Sequence, residues 1–175
     1  RYRRSLRQRN QALRQNASDR ELAVWEPELA EAGDTLDALR RAHLEKIRPA
    51  VERHVRELLD EGDWSFELQP GWPRGSTLRE ALVQYRGNDR RLGTTTPGPH
   101  RAELRIRAGG HAVKHRISRG QQKLLISALL LAQSEEIGRG SGRHPILLVD
   151  DFGAELAERY QAALLAALTG YPGQV

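Results

Sequence analysis

Residues 118–151 read SRGQQKLLISALLLAQSEEIGRGSGRHPILLVDD, and they contain a helix start, a long apolar helix and an acid-tipped strand in that order. Ser118 and Gln121 have the S-x-x-Q capping-box spacing. The following Leu124, Leu125, Ala128, Leu129 and Ala132 recur at the 3.6-residue period of a helix with one buried face. Gly138 to Arg143 reads as a loop leading to Pro145. Ile146-Leu147-Leu148-Val149 is a continuous apolar run, the pattern of a strand buried on both faces, and it ends in Asp150-Asp151. Carboxylates at the C-terminal edge of such a strand lie where open α/β sheets bind ligands. The fold class this predicts is α/β.

Upstream, the pattern stays regular. Ala102, Leu104, Ile106 and Ala108 alternate with Glu103, Arg105 and Arg107, and Gly109-Gly110 separates them from the strand-like 112–117, as in a two-residue hairpin. Thr77-Leu78-Arg79-Glu80 has capping-box spacing and opens a helix predicted to run to Gly93. Trp64, Phe66 and Leu68 form a strand that ends at Pro70-Gly71-Trp72-Pro73. Before Gly62, apolar residues at helical spacing (Tyr2, Leu6, Leu13; Leu29, Ala32, Leu36, Leu39, Ile47; Val51, Val55, Leu58, Leu59) predict an arm of two or three amphipathic helices. Breaks are expected near Trp25-Glu26-Pro27 and at Pro49. The predicted organisation is a helical arm over 1–62, a linking strand and helix over 63–93, and a catalytic-type lobe over 94–175.

Composition excludes several classes. The 175 residues include no cysteine, which removes disulfides, thiol nucleophiles and Cys-ligated zinc. Lys46, Lys114 and Lys123 are the only lysines and none follows a glycine, so no GxxxxGK[ST] phosphate loop exists in this chain. Apolar runs such as Ala128 to Ala132 are far short of the roughly 20 residues of a membrane-spanning helix. With no signal-peptide pattern at the N-terminus, a cytoplasmic location is expected. A start without Met and an uncapped Gly173-Gln174-Val175 end suggest a piece of a longer protein.

The net charge of +5 conceals a segregation. Residues 1–20 carry +6, 21–70 carry −7, 71–123 carry +9 and the remainder −3. Two arginine-rich blocks flank an acidic one, which is the footprint of a polyanion partner or of well-solvated basic faces.

Candidate chemistry gathers at the two ends of 118–151. Helix N-terminal N–H groups, the small Gly120, the Ser118 hydroxyl and the Arg119 guanidinium suit a phosphate, although the same residues also make a well-capped helix start. Adjacent Asp150 and Asp151 repel each other unless a cation or water network separates them, which favours Mg²⁺. Phosphatases and receiver domains also place acids there. His100, in Pro97-Gly98-Pro99-His100, is a turn histidine, and His111 with His115 lack a third metal ligand nearby. Arg101, Arg105, Arg107 and Arg116 belong to the polar face of the hairpin.

Ser-x-Gly-Gln opening a helix, then an apolar strand with two acids, then a helix from Ala154-Glu155-Leu156, is the order of signature motif, Walker B and D-loop in ABC-type ATPases. The stretches RQRNQALR, WEPELAEAG, TPGPHRAELRIRA, SRGQQKLLISALLLAQ and ILLVDDFGAEL resemble the RecF family of bacterial DNA replication and repair proteins from end to end of the chain. The resemblance implies the second lobe of an ABC/SMC-type ATPase head, without its P-loop part, together with a helical arm. It implies that Asp150 orders Mg²⁺, that Asp151 stands at the catalytic acid position, and that Ser118, Arg119, Gly120 and Gln121 contact the γ-phosphate of ATP held by a second subunit. It further implies an ATP-dependent homodimer with slow, DNA-dependent hydrolysis, binding to single-stranded and double-stranded DNA, and RecR and RecO as partners in recombinase loading. Ala157 departs from the Glu-Leu-Asp that relatives usually carry in the D-loop. A non-catalytic DNA-binding or scaffold module built on the basic blocks is the alternative.

Overall fold

The computed structural model describes residues 1–59, 62–150, 152 and 156–175, with the side chain of His115 excepted. Its elements are α1 (Tyr2–Arg14), α2 (Asp19–Leu58), β1 (Trp64–Gln69), α3 (Leu78–Gln84), α4 (Arg86–Leu92), β2 (Glu103–Ala108), β3 (His111–Ala112), α5 (Arg119–Ser141) and α6 (Glu158–Thr169). Short 3₁₀ turns cover Pro99–Arg101 and Val113–His115. The strands form one sheet in the order β1-β2-β3, and β2 pairs antiparallel with β3 in the register Arg107↔Ala112 and Ala108↔His111. Gly109 and Gly110 both take positive φ, 55° and 77°, as a tight hairpin turn requires.

The arm differs from the expected pattern. Neither Pro27 nor Pro49 breaks α2, which is a single helix of 40 residues. Both prolines are exposed, and so are Ala23 and Glu45, whose carbonyls lose their i+4 donors, a position where water is free to replace the missing hydrogen bonds. The real break lies at Asn16, in left-handed conformation at φ 56°, followed by Ser18. The Ser18 hydroxyl and N–H both donate to the Glu21 carboxylate, at 2.8 and 2.7 Å.

Two compact units share these elements, Arg1–Ala42 with Glu67–Arg105 and His43–Phe66 with Ile106–Val175. In the first, Tyr2, Leu29, Ala30, Ala32, Leu78 and Leu82 form one apolar cluster, and Leu13, Ala17 and Leu22 another. Between α1, α2 and α4 lies a charged centre. The fully buried Arg9 donates to Asp89 at 2.7 Å, Thr95 Oγ1 at 2.9 Å, the Leu82 carbonyl at 3.1 Å and Glu26 at 3.2 Å. Asp89 also accepts from the N–H and hydroxyl of Thr96, and Glu26 accepts a fork of two bonds from Arg86. Gly71, at φ 88°, accepts from the N–H of Gly98; a Cβ at Gly71 would stand 2.3 Å from the Gly98 carbonyl oxygen.

The second unit buries Val51, Val55 and Leu58 of α2, Leu124, Leu125, Ala128 and Ala132 of α5, and Leu164 and Leu168 of α6. The glycine-rich stretch expected as a loop is helical as far as Ser141, where left-handed Gly142 caps α5. The expected strand at 112–117 shrinks to the two residues of β3 before a 3₁₀ turn. The run Ile146 to Val149 forms no strand and pairs into no sheet among the described residues, and Ile146 and Leu148 are exposed. A strand buried on both faces needs a neighbour at each edge. Among the described residues the run has one backbone bond to another segment, from the Leu147 N–H to the Gln174 carbonyl at 2.9 Å.

Candidate functional site

Ser118, Arg119, Gly120 and Gln121 share the first turn of α5. The Ser118 hydroxyl oxygen accepts from the Gln121 N–H at 3.2 Å, and the Gln121 side-chain oxygen accepts from the Ser118 N–H at 2.9 Å. This reciprocal box fixes the backbone of the turn. Gly120 is buried, whereas Ser118 and Arg119 are exposed. The hydroxyl receives its bond through oxygen, so its own hydrogen stays available to an acceptor outside the helix. First-turn N–H groups and the helix dipole favour an anion at the same place. The site thus has a rigid backbone, one exposed hydroxyl and one exposed guanidinium, a donor set that fits phosphate oxygens.

Asp150 is exposed directly after the 146–149 run. Asp151, Ala154 and Glu155 lie outside the described residues, and the next helix, α6, begins at Glu158 after Ala157. No cluster of three metal-ligating side chains occurs among the described residues. His111 is exposed on β3.

His100 has a positional role. Its Nε2 lies 2.9 Å from the Thr95 carbonyl, which makes that nitrogen the protonated one, and its Nδ1 accepts from the Tyr2 hydroxyl at 2.7 Å. Burial pushes the Tyr2 phenol up to about 12 and holds the His100 imidazolium below its ordinary value. Of the hairpin arginines, Arg101, Arg105, Arg107 and Arg116 are all exposed.

One set of side chains left no mark in the sequence. In the second unit, Glu135 of α5 accepts from Arg53 at 2.7 Å and lies 2.8 Å from His54 Nε2, while His54 Nδ1 lies 3.1 Å from Glu57. Partial burial alone raises the Glu135 carboxyl, but the Arg53 and His54 hydrogen bonds outweigh it and hold the group below the usual carboxylate range. These residues border a groove of about 560 Å³ floored by the small side chains of Ala163, Ala166 and Ala167. Pairs more than 80 residues apart follow no local period, so no sequence pattern announces them.

Among the described residues, no helix is long and apolar enough to cross a membrane. No family model matches the chain. It is 39% identical over 177 residues to the DNA replication and repair protein RecF of Stenotrophomonas maltophilia and 40% identical over 175 residues to that of Thioalkalivibrio sulfidiphilus. Each match covers all of this chain and 49% of the relative, so the chain spans about half the length of the curated relatives it matches. The RecF of Pasteurella multocida is 39% identical over 93% of the chain. In fold, a structure of the recombination mediator protein RecF-ATP in the RecFOR pathway matches 99% of this chain and 50% of its own, with a TM-score of 0.79 at 23% identity. A RecF-ATPrS structure of the same pathway matches equally well, covering 95% of this chain at 22% identity. The expected fold class, an α/β lobe with a helical arm, is therefore the observed one, and this chain is RecF-like in sequence along its whole length and in fold along nearly all of it.

Proposed function

We propose that this chain is half of an ATP-dependent DNA replication and repair protein of the RecFOR pathway, carrying the arm and the signature-bearing lobe of an ABC-type head. The observation that carries the reading is the capped, exposed turn Ser118 to Gln121 in a chain whose relatives are RecF proteins throughout. By role, 1–62 is the arm, 63–93 the link and 94–175 the ATPase lobe. Ser118 and Arg119 donate to the γ-phosphate of an ATP held by the phosphate loop of a second subunit, Gly120 lets that phosphate approach the helix end, and Gln121 holds the Ser118 backbone in place. Binding energy is thus available only when two subunits sandwich the nucleotide, which makes dimerisation the output.

Asp150 orders Mg²⁺ through water, and Asp151 polarises the attacking water. Phosphoryl transfer depends mainly on positioning and charge stabilisation, so an aspartate can serve where the side chain reaches the water. Its shorter reach suits slow hydrolysis, as in a switch. Single-stranded and double-stranded DNA, RecR, RecO and a cytoplasmic location complete the reading. The test is Ser118→Arg in the full-length protein, where the larger side chain fills the phosphate position. ATP-induced dimerisation, followed by light scattering, is expected to vanish while ATP binding by the monomer persists. Unchanged dimerisation would sink the proposal.

A further inference from the structure

In the first unit a groove of about 590 Å³ runs between α1 and the start of α2. Gln8, Gln11 and Gln15 line it from one face of α1 and its C-terminal cap, and Asn16 follows them. None of the four side-chain amides has a hydrogen-bond partner among the described residues. From α2 come Val24, 68% exposed, and the half-buried Trp25, whose indole N–H likewise has no partner among the described residues. Glu21, the single acid of the lining, is committed to the Ser18 cap, and no cation lines the groove. The turn joining the two helices is fixed. Asn16 holds φ 56°, and Arg90 of α4 donates to the Ala17 carbonyl at 3.1 Å and pairs with Asp19.

Each carboxamide offers both a donor and an acceptor and carries no charge. A phosphate inside the groove would meet donors without a counter-charge, whereas a peptide backbone presents N–H and C=O in alternation and needs both kinds of partner. The lengths agree. Gln8 to Gln15 spans seven residues of helix, about 10.5 Å, which is the reach of about three residues of extended chain. Val24 and Trp25 offer an apolar contact to one side chain of such a segment. The sign of its charge is set outside the lining. Arg4 stands four residues before Gln8 and continues the amide row beyond the groove, while Arg7 and Arg14 flank Gln11 at four and three residues. All three are exposed and have no ion pair among the described residues, so acids on either side of the docked residues find cations there. We infer that the α1–α2 groove docks an extended, acidic segment of a partner protein, with its backbone on the carboxamides and its flanking carboxylates at Arg4, Arg7 and Arg14. This surface goes beyond the ATPase reading above and requires neither nucleotide nor DNA.

The test uses the full-length protein without nucleotide and a fluorescein-labelled peptide of three Asp-Val-Ser-Asp repeats, followed by anisotropy at several salt concentrations. This peptide is expected to bind about tenfold tighter than its counterpart with lysine in place of aspartate. Arg4→Gln with Arg7→Gln is expected to weaken binding about fivefold and to flatten its salt dependence. Gln11→Ala with Gln15→Ala is expected to weaken it about tenfold with the salt dependence intact, and asparagine at both positions to restore part of the loss. Methylating alternate backbone nitrogens of the peptide removes N–H donors without touching the protein's fold, and is expected to cost about tenfold as well. Failure of the acidic peptide to bind, equal binding of the acidic and basic peptides, or unchanged binding of the methylated one overturns the inference. Two other occupants give their own contrary results. Loss of oligothymidylate binding in Gln11→Ala with Gln15→Ala assigns the groove to nucleic acid, and loss of a nucleotide-free dimer in the same variant assigns it to a second copy of the chain. ATP-driven dimerisation is expected to survive all these substitutions, and its absence in the unsubstituted protein would defeat the nucleotide reading without touching this one.

Discussion

Arg9 in the first unit is fully buried with four hydrogen bonds, whereas Leu148 in the second is 92% exposed within a run of four apolar residues. Ordinary partition of side chains would place them the other way round. The first is tolerated because its charge is matched: two carboxylates, a hydroxyl and a carbonyl replace the water it lost. The second has apolar surface that nothing among the described residues covers. In the first unit the chain supplies partners for both terminal nitrogens of Arg9 and leaves its Nε buried without one, while 146–149 has the sequence of an interior strand and, among the described residues, the surroundings of a surface segment. Burial therefore follows from the availability of partners, and residue type only sets what those partners must be.

The largest expected effect lies at the buried centre. Arg9→Met leaves Asp89 inside with only its Thr96 bonds, and Asp89→Leu leaves the guanidinium with Glu26 as its one carboxylate beside the neutral Thr95 hydroxyl and Leu82 carbonyl. Each is expected to cost about 3–5 kcal/mol in denaturant unfolding, because a buried charge loses its counterpart. The double substitution is expected to cost less than the sum, since neither charge is then orphaned. Losses below about 1 kcal/mol for both singles would break the contrast and make the network ornamental.

A smaller effect comes from the Tyr2–His100 pair in the same unit, where polar groups are again tolerated only in matched form. Burial holds His100 below its ordinary value of 6.5, so the folded chain binds fewer protons than the unfolded one just below that pH. Stability is intact above the ordinary value and falls as pH drops toward the depressed one. Tyr2 behaves in mirror fashion: pushed from 10.0 up to about 12, it keeps stability intact below 10 and loses it as pH rises toward 12. Thermal melts across both limbs are expected to show the two declines. Tyr2→Phe should remove the alkaline one and His100→Gln the acid one, each with its own general loss from the missing hydrogen bond. A wild-type melting profile flat on both sides would mean that the pair is hydrated.

Much of the fold is legible in the sequence where physics is local. Capping boxes at Thr77 and Ser118, the Gly109-Gly110 turn and the alternation of β2 depend on residues within a few positions of each other, and each stands where the pattern places it. Pro27 and Pro49 mislead because their effect depends on whether the freed carbonyl meets water, which only the burial pattern of α2 reveals. Gly140 has the composition of a loop around it, yet it continues α5 to Ser141. The turn Ser118 to Gln121 can be found by spacing; the partners of Arg9, 17 to 86 residues away, cannot.

The smallest expected effect lies at the other pole of the comparison. Leu148→Ser in this 175-residue chain is expected to change unfolding free energy by no more than about 0.5 kcal/mol, as at other exposed positions. The fully buried Leu124→Ala should cost about 2–5 kcal/mol under the same conditions. A large loss at Leu148 would mean that the run is covered within this chain after all. The same substitution in a protein of the full RecF length separates two accounts of its sequence. If the run becomes an interior strand there, serine should cost what it costs in a core, because the hydroxyl loses water and the removed methyls leave a cavity. If the cost stays near zero, the apolar character of Ile146 to Val149 belongs to a surface, and the strand expected to hold Asp150 at a sheet edge does not form.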